Sequence, residues 1–142
     1  MLLAGSILWI LLILAAPYLS IHNLGAGGYL YLFFSGVCHQ EADRCFMYHG
    51  QPLAVCARCF GIYIGFIPGL LASGFIPRIR NFLLNNPRII LVFMLPMILD
   101  VLLPNTHWSR FFTGMAASFP VAVFVHQAVE QIQVNLIRRT VS

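Results

Sequence analysis

Apolar residues fall in long blocks along the chain, divided by short polar or glycine-rich stretches. Met1 to Tyr18 is the first block. It lacks the positive n-region of a signal peptide, so it is expected to persist as a helix. At about 1.5 Å per residue its roughly 18 residues reach ~27 Å, enough for the hydrocarbon core of a bilayer. Pro17 falls where that helix can end. Gly25, Gly27 and Gly28 open the next stretch, leaving Tyr29 to Val37 as its apolar part. About nine residues cannot cross a bilayer as a helix, so 24–37 reads as a short interfacial or re-entrant helix, with a fifth span as the alternative. A polar loop, 38–52, is closed by Gly50 and Pro52. Leu53 to Phe75 is the second span, 77–88 a loop, and Ile89 to Leu103 the third span. Residues 104–109 form a tight turn, with Ser109 an N-cap candidate for a last span from Arg110 to about Val129. The pattern therefore predicts an all-α membrane four-helix bundle as one domain over 1–142, carrying a short interfacial helix and a Cys/His-rich loop.

Composition agrees. Hydrophobic residues make up 60% of the 142 residues and charged residues 8%, with mean hydropathy +0.86. Soluble domains carry about a quarter charged residues, so the bilayer is the expected partner. The net charge of +4 comes from arginine alone, since there is no lysine. No basic run with interleaved aromatics exists, which argues against nucleic-acid binding. With four spans, Arg78, Arg80, Arg88, Arg138 and Arg139 share one side, which the positive-inside rule makes cytoplasmic. Both termini are then cytoplasmic, in a multi-pass protein of the cell (inner) membrane. The cysteines, Asp100, His107 and Arg110 gather on the outer face.

All four cysteines lie between Cys38 and Cys59. Cys56-Ala-Arg-Cys59 is a C-x-x-C, a spacing that suits a metal chelate or a redox pair. With Cys38, His39, Cys45 and His49 there are six candidate ligands, and a tetrahedral zinc site needs four. Cys38, Cys56 and Cys59 with His39 or His49 are the natural set, Cys45 competing. Zinc leads by base rate, and other transition metals share the preference for thiolate. Two other readings stand beside this one. Outside the cytoplasm cysteines commonly pair, and four permit three connectivities. Disulfides could pin the loop, or a reactive C-x-x-C could serve a membrane thiol-disulfide oxidoreductase.

Charged groups near the bilayer boundary need partners. Asp100, near the end of its span, is expected to contact Arg110 or Arg58, with orienting a metal-bound His or water, or acting as an acid or base, as its functional alternatives. Arg44, Arg58 and Arg110 could hold an anionic lipid or other amphiphile by bidentate contacts. At about 100° per residue, Cys56, Cys59 and Tyr63 share one face of the second span, and Gly61, Gly65 and Gly69 the opposite one. That small-residue face suits close helix packing, within the chain or between copies in an oligomer. His126 and Glu130, at i,i+4, read as a solvated helix end. An enzyme and a non-catalytic, metal-stapled membrane protein both remain open.

Cys38-His39-Gln40, Arg44, Gly50, Pro52 and Cys56-Ala-Arg-Cys59-x-Gly61-x-Tyr63-x-Gly65 together resemble a family of small prokaryotic membrane proteins, domain of unknown function 2085. The likeness extends to Asp100 and to Arg110-x-x-Thr113-Gly114, covering about residues 30 to 118. It implies a site without naming a reaction. Cys45 departs from the family pattern, which implies three cysteines and a histidine as the core and favours metal over paired disulfides.

Overall fold

The computed structural model describes residues 1–22, 24–103 and 105–141, with side chains through Arg139. Among them are six α-helices: α1 (Leu2–Ile21), α2 (Ala26–Ser35), α3 (Ala57–Phe75), α4 (Pro77–Asn85), α5 (Ile89–Leu102) and α6 (His107–Val141). The expected all-α membrane bundle is what the chain forms. Three helices are long and apolar enough to cross a membrane: α1, α3 and α6. A fourth leg is broken, because α4 meets α5 at 85°. By itself α5, with 14 residues, rises only ~21 Å. If it stands along the membrane normal, α4 lies in the plane.

The centre of the bundle is the α3–α6 pair, which runs parallel. Gly61, Gly65 and Gly69 meet the backbone of Phe111, Met115 and Phe119 in turn, and Gly114 meets Arg58. A Cβ at any of the four would collide with a main-chain atom of the facing helix. This is small-residue packing of the kind that lets membrane helices approach closely. The face that could have docked a second copy is taken by α6 of the same chain. On the other side of α3, α1 packs with α2 as a hairpin. Trp9 meets Phe33, Phe34 and Tyr63 edge-on at 5.2–5.8 Å.

Several boundaries differ from expectation, each for a local reason. Residues 77–85 are helix, not loop: Pro77 sits at N1, where its missing N–H costs nothing, and Leu83 is buried. The first helix runs through Pro17 to Ile21, with Pro17 buried. The cap of α6 is Thr106, not Ser109. Thr106 N–H donates to Ser109 Oγ (3.0 Å) and Ser109 N–H to Thr106 Oγ1 (3.2 Å), a reciprocal capping box. Pro104, part of the expected turn, lies outside the described residues. The last helix continues far past Val129. Its His126 is not simply solvated, since Nδ1 lies 3.0 Å from the buried Ser73 hydroxyl and 4.0 Å from Glu130. The 38–52 loop carries a 3-10 turn (Ala42–Arg44) and a small hairpin, β1 (Met47–Tyr48) with β2 (Gln51–Pro52), in register Met47↔Pro52 and Tyr48↔Gln51.

Candidate metal centre

Two elements deliver the sulfurs. After α2 the chain tightens, Cys38 N–H donating to Phe34 C=O at 3.0 Å, so that Cys38 points into the core at 6% exposure. Cys56 caps α3 in an extended conformation (φ −65°, ψ 160°), and Cys59 follows in its first turn. The Sγ atoms of Cys38, Cys56 and Cys59 all lie within 4.8 Å of one another. Cys56 N–H donates to Cys38 Sγ at 3.2 Å. The Cys38 thiol is held far below its usual range, chiefly because the Cys56 and Cys59 thiols hydrogen-bond to it, with help from backbone N–H groups. A thiolate is thus favoured where metal chemistry needs one.

Gln40 fixes this geometry. Its backbone adopts φ 53°, and its Nε2 donates both to Tyr31 C=O (2.8 Å) and to Ala54 C=O (2.7 Å). One amide therefore ties α2 to the 53–56 segment that carries Cys56. Tyr31 Oη donates to Pro52 C=O at 2.5 Å, adding a second tie. Leu53, Ala54 and Val55 are buried against Ile13 and Ala16 of α1, so the site is backed by packed apolar side chains.

The remaining candidates are sorted by the fold. His39 is exposed and lines, with Gln40, Glu41 and Arg44, a pocket of about 320 Å³ that contains the three cysteines. His49 lies elsewhere. It and Gly50 (φ 47° and 82°) form the hairpin turn, a positive-φ pair of the type I′ kind, and its ring rests on Tyr48 at 4.7 Å. Cys45 is buried at 1% exposure and outside the three-sulfur group. Burial, then the neighbouring Cys56 and Cys38, push its thiol up to about 12.

Asp100 closes the other side. Its Oδ2 accepts from Arg58 at 2.7 Å, one residue from Cys59. Its main-chain carbonyl accepts from Asn105, whose Oδ1 in turn accepts from Arg110 Nε at 2.6 Å. Of the two partners expected for Asp100, Arg58 meets its carboxylate, and Arg110 joins through Asn105. Arg44, in contrast, pairs with Glu41 (2.6 Å) on the exposed rim. Gln40 and Asn105 are the site residues that patterning underrated. An amide has no periodic signature; only its place inside the CHQ triplet marked Gln40.

With this geometry in view, comparison with known proteins is decisive for family. Residues 38–124, well over half of the chain, match the family described as "Predicted membrane protein (DUF2085)". The chain belongs to that family. DUF2085 proteins similar to it include an uncharacterized protein of Methanocaldococcus jannaschii, 35% identical over 102 residues, 68% of this chain and 65% of that one. Another uncharacterized protein, from Methanothermobacter thermautotrophicus, is 28% identical over 96 residues, 63% of this chain and 85% of that one. No solved structure matches. The DUF2085 segment begins at Cys38 and contains every sulfur of the cluster, together with Arg58, Asp100 and Arg110.

Proposed function

We propose that this DUF2085 protein holds one transition-metal ion, zinc by base rate among thiolate sites, on Cys38, Cys56 and Cys59, and uses it on an anionic amphiphile at the outer membrane face. The observation that carries the reading is the convergence of three sulfurs from two elements to within 4.8 Å. Thiolate donors fit zinc and other soft or borderline ions. Closed structural zinc sites use four protein ligands, whereas catalytic ones keep a position open. Here the pocket beside the sulfurs is rimmed by His39, Glu41 and Arg44, which leaves room for His39 or for a molecule from outside. Once bound, the ion supplies Lewis acidity to whatever shares that pocket. Arg58 and Arg110 attract the anionic head, and Asp100 orients Arg58. The outward orientation is supported by Arg78, Arg80 and Arg88 around α4 and Arg138 and Arg139 at the end of α6.

Elemental analysis of the detergent-purified protein tests this. Near one equivalent of metal is expected, falling below about a tenth in Cys56→Ser. A thiol-disulfide reading is favoured by one observation, that Cys38 reaches both thiols of the C-x-x-C. Metal-free protein with oxidised cysteines would move the assignment there.

A further inference from the structure

Below the thiol cluster, α1 packs on α3 and α5 packs on α6, and a cleft of about 760 Å³ lies between the two pairs. Its walls include Gly5, Ser6, Trp9, Phe66, Met97 and Ser118. Small residues on α1 and α6 keep it open; a Cβ at Gly5 would meet nothing within 4 Å. The volume falls in the range of ligand sites, about 300–1,000 Å³.

The upper end of the cleft is polar. Ile62 and Tyr63 line it, and one helical turn above them on the same rows of α3 stand Arg58 and Cys59. Met97 lines it on α5, with Asp100 one turn above. Two buried donors at this end lack acceptors among the described residues. Arg58 Nε has none, and the Trp9 indole N–H lies beside Tyr63 without a well-formed hydrogen bond. A buried donor left unpaired in an apolar setting is costly, and an anionic oxygen that accepts from it removes that cost. Charge is also unbalanced there: Arg58 pairs with the Asp100 carboxylate, while Arg110, linked through Asn105 to the Asp100 main-chain carbonyl, forms no ion pair among the described residues.

The geometry points to a single-chain lipid phosphate as the occupant, its tail in the cleft and its head at Arg58 and Trp9. This rests on the amphiphile half of the proposed function and is independent of the metal. An empty apolar groove would be filled by any lipid; the two unpaired donors and the surplus guanidinium select an anionic head.

The test uses the full chain in detergent with two photoreactive probes sharing one diazirine-bearing acyl chain, lysophosphatidic acid and monoacylglycerol. The phosphate probe should label peptides holding Gly5–Trp9 and Met94–Met97 about tenfold more than the neutral one, equivalent to ~1.4 kcal/mol. Gly5→Leu, which sends a side chain into the cleft from a Cβ position with nothing within 4 Å, should lower that labelling by a similar factor while the protein still unfolds cooperatively. Should Gly5→Leu fail to fold, Met97→Trp takes its place. Cys56→Ser should lose metal and keep the labelling, which separates the tail site from the metal site. Equal labelling by both probes, or undiminished labelling in the filled variant, means annular lipid only and overturns the assignment.

Discussion

Cys45 lies close enough to Cys38 and Cys56 to feel their charge, yet at 1% exposure it is the most buried of the four cysteines and the hardest for a reagent to reach. A thiol raised to about 12 stays protonated at every pH below that, and the neutral form is a poor nucleophile. After chelation and reduction, iodoacetamide at pH 8 should therefore modify Cys45 last, as peptide mass spectrometry will read. Gln40 makes the opposite case, an uncharged side chain on which the cluster depends. Gln40→Leu removes the donor shared by the Ala54 carbonyl and the Tyr31 carbonyl, which keeps its place in the α2 ladder, a loss of about 1–3 kcal/mol in all. Metal retention against a competing chelator should fall about tenfold or more, as it does when supporting contacts of a metal site are removed. The Asp100–Arg58 pair, at 5% and 26% side-chain exposure, should cost about 3–5 kcal/mol when only Asp100 is changed to Asn. The double replacement Arg58→Met with Asp100→Leu should recover part of that loss in thermal unfolding.

At the level of helices, the parallel contact between α3 and α6 is set by glycine. Gly65→Leu should disrupt assembly, because its side chain would strike the Met115 main chain. Gly74→Ala, on the same helix with open space around it, should be neutral or slightly stabilising. Parallel unfolding curves of the two variants separate a packing requirement from glycine content as such. The same comparison marks what was legible in the sequence. Long apolar blocks announced α1, α3 and α6, because a bilayer demands length and apolarity together. The C-x-x-C and CHQ triplets announced the three sulfurs, and an isolated charge in a span announced the Asp100 pair. Short elements were harder to read. In α4 only Leu83 is buried, so no long stripe betrays it, and its flanking prolines look like loop punctuation. His49 counted as a ligand by residue type, while its positive φ beside Gly50 assigned it to a turn. Such turns are decided by backbone conformation, which a ligand count ignores.

For the whole molecule, five of eight arginines lie in and around α4 and at the end of α6, opposite the end of the bundle that carries the sulfurs. A membrane-impermeant maleimide applied to intact cells after chelation and reduction should reach Cys56 and Cys59; labelling only after permeabilisation would reverse the orientation. One further consequence concerns the chain between the sulfurs. Cys38 and Cys56 stand 18 residues apart in sequence and touch in space, so an ion held by both closes a loop around the 3-10 turn and the hairpin. Closing a loop of that length restricts the unfolded chain by about 3 kcal/mol if the ion acts as a covalent crosslink does. Helices α3 and α6 owe nothing to that closure. Stripping the ion should thus leave the helical signal in circular dichroism nearly unchanged while residues 42–52 become the preferred point of proteolytic entry, a fold whose membrane part and cap melt on separate schedules.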